Sequence, residues 1–550
     1  MPACGGDLRG ACGGEAHRRP RRPPGPSPSS PAHFWRDAPM RPASSFGSRA
    51  LLFSLVPVLL LLCAPLRGGA QESGATAPLS AVTQAAVTTD PPAVRWQEGP
   101  MPPREYRDLA RSIFAELIEI NTTDSERGDN TQAARAMAQR LLDAGFPPED
   151  VRVLVPEDAP TKGNLVARYR GRNTGLKPIL LLAHIDVVEA LPEDWSPDLN
   201  PFEFLERDGY YYGRGVTDDK DEAAIHIANF IRMKREGFVP DRDIIVALTA
   251  DEEGGPRNGV AYLLEEHRDL IDAAFALNEG GGGMEKNGRK ISNNVQASEK
   301  KFLSFYFTAT NPGGHSSLPV KKNAIYDLAD ALVALRGYDF PVMLNEVTEA
   351  FFSRSADLVG GKTGEAMRRI VENPSDTEAA RILSREPGYN ARLRTTCVAT
   401  LLEGGHAENA LPQLARANVN CRILPDHDPA DVERALHELA RPFDVAVEPR
   451  AEARPSPPSP LAEEVLGPIE KITGEMWPGV PVLPVMSTGA TDGLYLRREG
   501  IPVYGVSGLF HDVDDVRAHG RDERIRISDF YQGQEFLYRL VKELAGGGIA

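Results

Sequence analysis

Three clusters of acidic residues or histidine each follow a short apolar run, and a fourth opens an amphipathic segment. The apolar runs cover 179–183, 244–248 and 274–277, and apolar residues recur at helical spacing over 219–235. Such alternation predicts an α/β domain with a mostly parallel sheet. Ligands bind outside the carboxyl ends of the strands in these sheets, so we expect the clusters to converge. They are His184-Ile185-Asp186, Asp218-Asp219-Lys220, Asp251-Glu252-Glu253 and Asn278-Glu279-Gly280.

The middle of the chain has a different pattern. Residues 302–310, 397–401 and 415–423 alternate polar and apolar positions in the manner of half-exposed strands. We expect these strands to form a second, antiparallel sheet with helices around it. The proline-rich stretch 455–460 is typical of a linker and indicates a change of domain.

The N-terminal region resembles an export signal. Residues 1–39 are rich in Pro, Arg, Gly and Ser, and Met40 then opens a basic segment followed by an apolar run over 50–64 and small residues at 68–70. This order predicts a signal peptide, and the run is short for a membrane span. We therefore expect a secreted or periplasmic protein with no stable membrane anchor, and a linker over 71–95. A membrane anchor or a buried N-terminal helix is the alternative.

Composition excludes several classes of function. The chain carries 78 acidic and 62 basic residues, a net charge of −16, so nucleic acid is not expected as a partner. Five cysteines are too few for a disulfide scaffold and argue against a cysteine-rich zinc site. A bound metal ion would therefore be held by histidine and carboxylate side chains.

Two cysteines lie beyond the predicted signal peptide, on strands expected to be neighbours. If Glu403 lies opposite Leu414, the antiparallel register brings Cys397 and Cys421 nearly opposite each other. Export would provide the oxidising compartment that a disulfide needs. Two buried free thiols are the equally open alternative.

The motifs, in their order along the chain, resemble those of the M20 family of co-catalytic zinc metallopeptidases and aminoacylases. They are HxD at 184–186, GRGxxDDK at 213–220, DEEGG at 251–255, NEGG at 278–281 and HGRDER at 519–524.

The resemblance covers about residues 103–544. It implies a catalytic domain interrupted by an α+β lid that often serves as the dimer contact. Residues 96–297 and 454–550 would form the catalytic domain, with the lid over 298–453. A helical insert at 337–389 departs from the family pattern, and it could shape the pocket, modify the dimer contact or merely decorate the lid.

By this resemblance each subunit would bind two Zn²⁺ ions, with Co²⁺ or Mn²⁺ as possible substitutes. Zinc accepts the nitrogen and oxygen ligands that these motifs supply. The family also has a cis peptide bond after the bridging aspartate. His511 is an alternative to the last ligand. The implied ligands are His184, Asp218 and Glu279 for one ion and Glu253 and His519 for the other, with Asp218 bridging.

Further roles follow from the same resemblance. Glu252 would act as the general base and Asp186 would accept the second ring N–H of His184. His315, in the lid, would stabilise the oxyanion and, in a homodimer, would serve the partner's site. The substrate's carboxylate would be bound by Asn409, Arg422 and the backbone N–H of Gly489, since an arginine fork binds carboxylates bidentately.

The resemblance thus implies an exported zinc exopeptidase or amidohydrolase, of carboxypeptidase or dipeptidase type. It would hydrolyse a peptide or N-acyl amide bond next to a free C-terminal carboxylate, in a small peptide or an N-acyl amino acid. Two alternatives stay open. One is a two-zinc aminopeptidase that selects a free amine, and the other is a non-catalytic periplasmic protein that binds metal or peptides.

Overall fold

The computed structural model describes residues 99–173, 175–452 and 454–549. Residues 1–98, which include the predicted signal peptide and the predicted linker over 71–95, lie outside these ranges. Within them, no helix has the length and apolar character that crossing a membrane requires. The helices are α1 (Arg104–Glu119), α2 (Asn130–Asp143), α3 (Lys220–Arg235), α4 (Gly259–Glu266), α5 (Arg268–Ile271), α6 (Ala324–Arg336), α7 (Glu346–Val359), α8 (Gly361–Glu372), α9 (Thr377–Leu383), α10 (Pro387–Leu393), α11 (Pro429–Ala440), α12 (Glu463–Met476), α13 (Gly493–Arg498) and α14 (Ile527–Ala545).

Within the same ranges, the strands form a large central sheet, a four-stranded sheet and three small ones. They are β1 (Val151–Leu154), β2 (Asn164–Tyr169), β3 (Ile179–His184), β4 (Leu205–Arg207), β5 (Tyr210–Tyr212), β6 (Phe238–Val239), β7 (Ile244–Thr249), β8 (Phe275–Asn278), β9 (Gly282–Lys286), β10 (Arg289–Glu299), β11 (Lys301–Thr310), β12 (Gly314–His315), β13 (Thr396–Gly404), β14 (Ala410–Leu411), β15 (Leu414–Ile423), β16 (Val445–Pro449), β17 (Val482–Ser487), β18 (Val503–Gly505), β19 (Phe510–Asp512), β20 (Arg524–Arg526) and β21 (Gly548–Ile549).

The central sheet is built around β3. β7 and β8 flank β3, and both run parallel to it. β18 continues the parallel set beyond β8, while β2 pairs antiparallel with β7 on the other side. The predicted α/β class with a mostly parallel sheet is confirmed. The carboxyl ends of β3, β7 and β8 consequently meet at one edge, where the acidic clusters begin.

The strand β3 shows why these runs form the centre. Ile179 and Leu181 pack into a cluster with α1 and α3, whereas Leu180 and Leu182 pack with α4 and α13 on the opposite face. Every residue of β3 is buried. A strand covered on both faces needs apolar residues at every position, and this is the reason for its uninterrupted apolar sequence.

The second sheet is antiparallel and has the order β13-β15-β11-β16. Helices α6 and α11 cover one face through a core that includes Leu328, Leu436 and Phe305. β13 is one of the two edge strands, and most of its residues are exposed. This separate sheet matches the lid that the sequence predicts. The first and last residues given for each domain remain predictions.

The insert packs on the central sheet. Helices α7 to α10 form an apolar cluster in which Phe351, Phe352 and Tyr389 share a core with Leu483 and Val485 of β17. The side chain of Arg354 also donates to Glu470 and to the carbonyl oxygen of Val482, at 2.6 and 3.1 Å. The insert therefore packs against the catalytic domain and is hydrogen-bonded to it.

Cys397 and Cys421 lie directly opposite each other on β13 and β15 and form a disulfide. The register expected for the far end of the hairpin is wrong, because Glu403 pairs with Arg416 instead of Leu414. A bulge between Ala399 and Leu401 shifts the register along β13. On the other side of the bulge, Cys397 and Cys421 pair as the sequence predicts.

Candidate metal centre

The predicted ligands come from five separate segments at the carboxyl edge of the central sheet. His184 is the last residue of β3, and Glu253 follows β7 after a short turn. Glu279 follows β8 directly, Asp218 precedes α3, and His519 lies in the loop between β19 and β20. The parallel strands thus deliver three of these side chains to one crevice.

Asp218 lies between the two histidines. Its Oδ1 is 3.0 Å from His184 Nε2 and its Oδ2 is 2.9 Å from His519 Nε2. Glu253 Oε1 is 2.8 Å from the same nitrogen of His519. The peptide bond between Asp218 and Asp219 is cis, as the resemblance implies. Each oxygen of the Asp218 carboxylate therefore faces a different predicted ligand.

Two overlapping sets of donor atoms meet the distances of a metal site. Ligand-type atoms of His184, Asp218 and Glu253 all lie within 4.8 Å of one another, and so do those of His184, Glu252 and Glu279. These are nitrogen and oxygen donors of the type that zinc accepts. The sets share His184 and divide the other donors differently from the prediction, because Glu253 falls with His184 and Glu252, the predicted base, is a donor of the second set.

The histidines are held by carboxylates. Burial opposes the charged form of His184, yet the carboxylates of Asp186 and Asp218 raise its pKa well above the usual value. Hydrogen bonds to Asp218 and Glu253 raise the pKa of His519 to about 10. The carboxylates around both rings thus favour a positive charge at these positions.

Carboxylates are crowded in the same buried space. Burial raises the pKa of Glu252 and of Glu222 to about 8, that of Asp492 to about 6, and that of Glu279 well above its usual value. A divalent cation supplies the positive charge that such a group of carboxylates lacks. The electrostatics and the donor set both fit a metal centre.

Asp186 has a different contact from the one predicted. His184 Nδ1 lies 3.1 Å from the backbone carbonyl oxygen of Asp186 and 3.6 Å from its carboxylate. The carboxylate instead accepts the backbone N–H groups of Glu252 and Glu253, at 3.1 and 3.0 Å. Asp186 therefore fixes both the histidine ring and the turn that carries the predicted base.

Glu523 is a positioning residue that sequence reasoning missed. Its buried carboxylate accepts the backbone N–H groups of Gly215 and Thr217 and pairs with Arg214 at 2.7 Å. These contacts fix the loop that delivers Asp218. The signal was present, because Glu523 belongs to the same closing motif as His519, but the pattern alone does not say what it contacts.

Asp492 is a second missed residue. It is buried beside Asn278, whose Nδ2 lies 3.3 Å from Asp492 Oδ1, and Thr249 Oγ1 lies 3.4 Å from its other oxygen. It follows Gly489 by three residues and so connects the predicted substrate loop to the ends of β7 and β8.

Of the predicted lid residues, His315 and Asn409 lie in or next to a small two-stranded sheet formed by β12 and β14, and Arg422 lies on β15. His315 is exposed on β12, with Nδ1 2.8 Å from Ser317 Oγ, and Asn409 accepts the N–H of Ser316 through its backbone oxygen at 2.9 Å. Arg422 is half-buried on β15. The N–H of Gly489 donates to Ser487 Oγ at 3.1 Å.

The structure also bears on the choice between the two late histidines. His519 contacts both Asp218 and Glu253. His511 lies on β19, and burial lowers its pKa. The geometry therefore favours His519 as the ligand.

Comparison with known proteins gives one family and several relatives. The sequence profile of peptidase family M20/M25/M40 matches residues 180–543. The chain is 26% identical over 450 residues to the N-fatty-acyl-amino acid synthase/hydrolase PM20D1 of Homo sapiens, covering 80% of this chain and 88% of that protein. It is 29% identical over 395 residues to a probable carboxypeptidase S-like 2 of Dictyostelium discoideum, covering 69% and 74%.

A solved structure agrees in fold. The M20 family metallo-carboxypeptidase Sso-CP2 from Sulfolobus solfataricus matches with a TM-score of 0.58 at 17% identity, over 79% of this chain and 99% of that one.

Proposed function

Since the chain belongs to peptidase family M20/M25/M40, we propose that it is an exported dizinc hydrolase that cleaves an amide bond next to a free carboxylate. Its substrates would be small peptides or N-acyl amino acids. Membership of the family makes the chain a hydrolase of peptide or amide bonds. The metal, the carboxylate requirement and export are the parts proposed.

The observation that carries the proposal is the position of Asp218 between His184 and His519, with Glu252 beside them. His184 and Glu279 would hold one ion and Glu253 and His519 the other, with Asp218 shared. When bound, the ions would polarise the scissile carbonyl and acidify a water molecule.

The protein's own contribution is the placement of Glu252. Asp186 accepts the N–H of Glu252 and so fixes the backbone of the base. The side chain of Glu252 would take a proton from the attacking water and later deliver it to the leaving nitrogen. The neighbouring Glu253, one residue on, would be a ligand and leave Glu252 free for this transfer.

The names of two relatives support the carboxylate requirement. One is an N-fatty-acyl-amino acid synthase/hydrolase and the other a probable carboxypeptidase. An N-acyl amino acid and a peptide C-terminus share an amide bond next to a free carboxylate. Arg422 and Asn409, with Gly489, are the residues proposed to bind it.

We also propose a homodimer formed through the lid. Val398, Leu401 and Leu402 on the edge strand β13 are 60%, 67% and 70% exposed, and Tyr326 on α6 is also exposed. Open apolar edge strands tend to pair with another chain. A second copy on this edge would continue the sheet and bring His315 to the partner's site.

Product analysis of the zinc-loaded protein tests the proposal. The panel consists of dipeptides, N-acyl amino acids and the same compounds with the carboxylate capped as an amide. We expect hydrolysis of the first two and at least about 100-fold lower rates for the capped forms, with Glu252→Gln as the inactive control. A requirement for a free amine would favour an aminopeptidase. Binding without hydrolysis would favour a non-catalytic protein.

A further inference from the structure

The chain passes from the central sheet to the lid sheet over 297–301, and it returns over 454–460, after β16. These two crossings lie side by side, because the backbone N–H of Ser459 on the return crossing donates to the carbonyl oxygen of Ala297 at 2.8 Å. Ser456 and Ser459 are both buried. The proline-rich stretch that the sequence predicts as a linker is therefore packed against the outgoing crossing.

Glu299, on the outgoing crossing, is 1% exposed, and its two carboxylate oxygens bind different segments. Oε1 accepts the hydroxyl of Ser456 at 3.2 Å and lies 3.2 Å from Nη1 of Arg497 on α13. Oε2 accepts both the backbone N–H and the hydroxyl of Thr491, each at 3.0 Å. Glu299 therefore joins the return crossing and α13 to the loop that follows β17.

That loop, 488–492, is held at both ends by consecutive residues of the outgoing crossing. At its start, the backbone N–H of Lys300 donates to the carbonyl oxygen of Ser487 at 3.1 Å. Near its end, Glu299 binds Thr491. The segment between these two contacts contains Gly489, which we name above as a ligand of the substrate's carboxylate.

A carboxylate suits this position better than an amide of the same size. Both of its oxygens accept hydrogen bonds, whereas glutamine has a single acceptor oxygen. Glutamine at 299 could therefore serve Thr491 or the side of Ser456 and Arg497, but not both. The negative charge also pairs with the buried guanidinium of Arg497, which would be costly to leave unpaired.

We propose that Glu299 is a positioning residue for recognition of the substrate's carboxylate. This rests on the proposed function, in which Gly489 of the catalytic domain and Arg422 and Asn409 of the lid bind that group together. Because these residues belong to two domains, they can meet one carboxylate only when the loop and the lid keep a fixed relation. Glu299 lies where the chain enters the lid and binds the loop directly, so it sets that relation.

The kinetic test uses zinc-loaded Glu299→Gln with two compounds, the N-acetyl amino acid that wild type hydrolyses fastest and its carboxamide. For the free acid, KM should rise about 10- to 100-fold, the range expected when hydrogen bonds to a charged group are lost. kcat should stay within about threefold, since the loop acts on binding and not on the proton transfer. The rate on the carboxamide should hardly change, so selectivity for the free acid falls with the rise in KM.

Glu285→Gln is the matched control. Glu285 is also 1% exposed, and it pairs with an arginine, Arg526, at 2.6 Å, but it lies on β9 and pairs with β20 instead of the loop. This variant may not differ from Glu299→Gln in Tm, yet its KM and its selectivity should stay within about twofold of wild type. Equal losses on the acid and the carboxamide in Glu299→Gln would indicate a purely structural role and overturn the inference.

A pair of changes at Thr491 keeps the inference testable if Glu299→Gln does not fold. Thr491→Ser retains the hydroxyl that donates to Glu299 and should behave like wild type. Thr491→Val removes that hydroxyl and leaves only the backbone N–H, so KM for the free acid should rise about 3- to 10-fold. The same KM in both variants would overturn the inference.

Hydrogen exchange of the zinc-loaded protein separates this inference from the proposed function. The segment 487–493 should exchange at least about tenfold faster in Glu299→Gln than in wild type, and at the wild-type rate in Glu285→Gln. Faster exchange, combined with no hydrolysis of any compound by wild type, leaves the anchoring of the loop standing and rejects the proposed function. Hydrolysis by Glu299→Gln with unchanged KM and selectivity leaves the function standing and rejects the role of Glu299, whatever the exchange rate.

Discussion

The two oxygens of Asp218 face two different histidines, with Oδ1 3.0 Å from His184 Nε2 and Oδ2 2.9 Å from His519 Nε2. His184 lies at the end of β3, whereas His519 comes from a loop more than 300 residues later in the chain. A carboxylate in this position can be shared between two cations, one on each side. The predictions below follow from this relationship and from the groups around it.

Asp218→Asn should remove most of the metal while keeping the side-chain volume. The amide cannot provide two anionic oxygens, so zinc content should fall from about two ions to less than one per subunit, and activity at least about 100-fold. Elemental analysis after gel filtration measures the content. Asp269→Asn, an exposed aspartate of α5, is the control. Retention of two ions by Asp218→Asn would show that this residue does not bridge.

Glu252→Gln should behave in the opposite way. Its side chain is assigned to proton transfer, so the variant should keep both ions and lose about 10²–10⁴-fold in turnover. The same elemental analysis, combined with initial rates, checks it. Loss of metal in this variant would mean that Glu252 and Glu253 exchange roles, which the second donor set of His184, Glu252 and Glu279 makes a real alternative.

Zinc should stabilise the protein more at higher pH. Hydrogen bonds to Asp218 and Glu253 raise the pKa of His519 from 6.5 to about 10 in the metal-free state. A raised histidine pKa stabilises the fold fully below about pH 6.5, and this contribution is lost as the pH rises toward 10. Burial raises the pKa of Glu252 from 4.5 to about 8, so stability also falls between those values.

Since zinc takes the place of these protons, the gap between the zinc-loaded and chelator-treated Tm should widen from about pH 6 to about pH 8.5. A thermal melt at each pH measures it, with Asp218→Asn as the variant in which the gap should shrink. A gap that is constant across this range would contradict the electrostatic account.

The Cys397–Cys421 bond should be present in exported protein. Its intact mass should be about two units below that of the reduced chain, and denatured, unreduced protein should not take up a thiol label. The Cys397→Ala/Cys421→Ala double variant should lose about 3 kcal/mol in the free energy of unfolding, from the loop of 24 residues that the bond closes. Full labelling of the denatured, unreduced protein would show that the disulfide is absent.

The proposed dimer predicts that catalysis is shared between subunits. His315→Ala and Glu252→Gln should each be nearly inactive alone. In their mixed dimers one site has both residues and the other has neither. Random mixing makes half the dimers mixed, each with one of two sites intact, so about a quarter of wild-type activity should return. Absence of recovery in verified mixed dimers, or full activity in a monomer by light scattering, would reject the shared site.

The central sheet and the acidic clusters could be predicted because β3 and β7 are buried on both faces. That burial requires unbroken apolar runs, and it places polar residues directly after them. The contacts of Asp186 could not be predicted, since the sequence does not distinguish its backbone oxygen from its carboxylate.

The strand register of the lid sheet could be predicted only in part from the sequence pattern. Period-two alternation gives strands, but the bulge between Ala399 and Leu401 changes the register without changing the composition. Amphipathic spacing likewise predicts that the insert helices bury one face, although it does not say that Leu483 and Val485 of β17 lie beneath it. The surroundings of Phe351 and Tyr389 depend on that packing and were not predictable.

Zinc titration of the metal-free protein, followed by hydrolysis of an N-acetyl amino acid, tests the central claim most directly. The account predicts no hydrolysis in chelator and a rise that reaches its plateau near two zinc ions per subunit, with the carboxamide of the same substrate left uncleaved throughout. Hydrolysis that persists without metal, or equal cleavage of the carboxamide at the plateau, would contradict a dizinc hydrolase that recognises a free carboxylate.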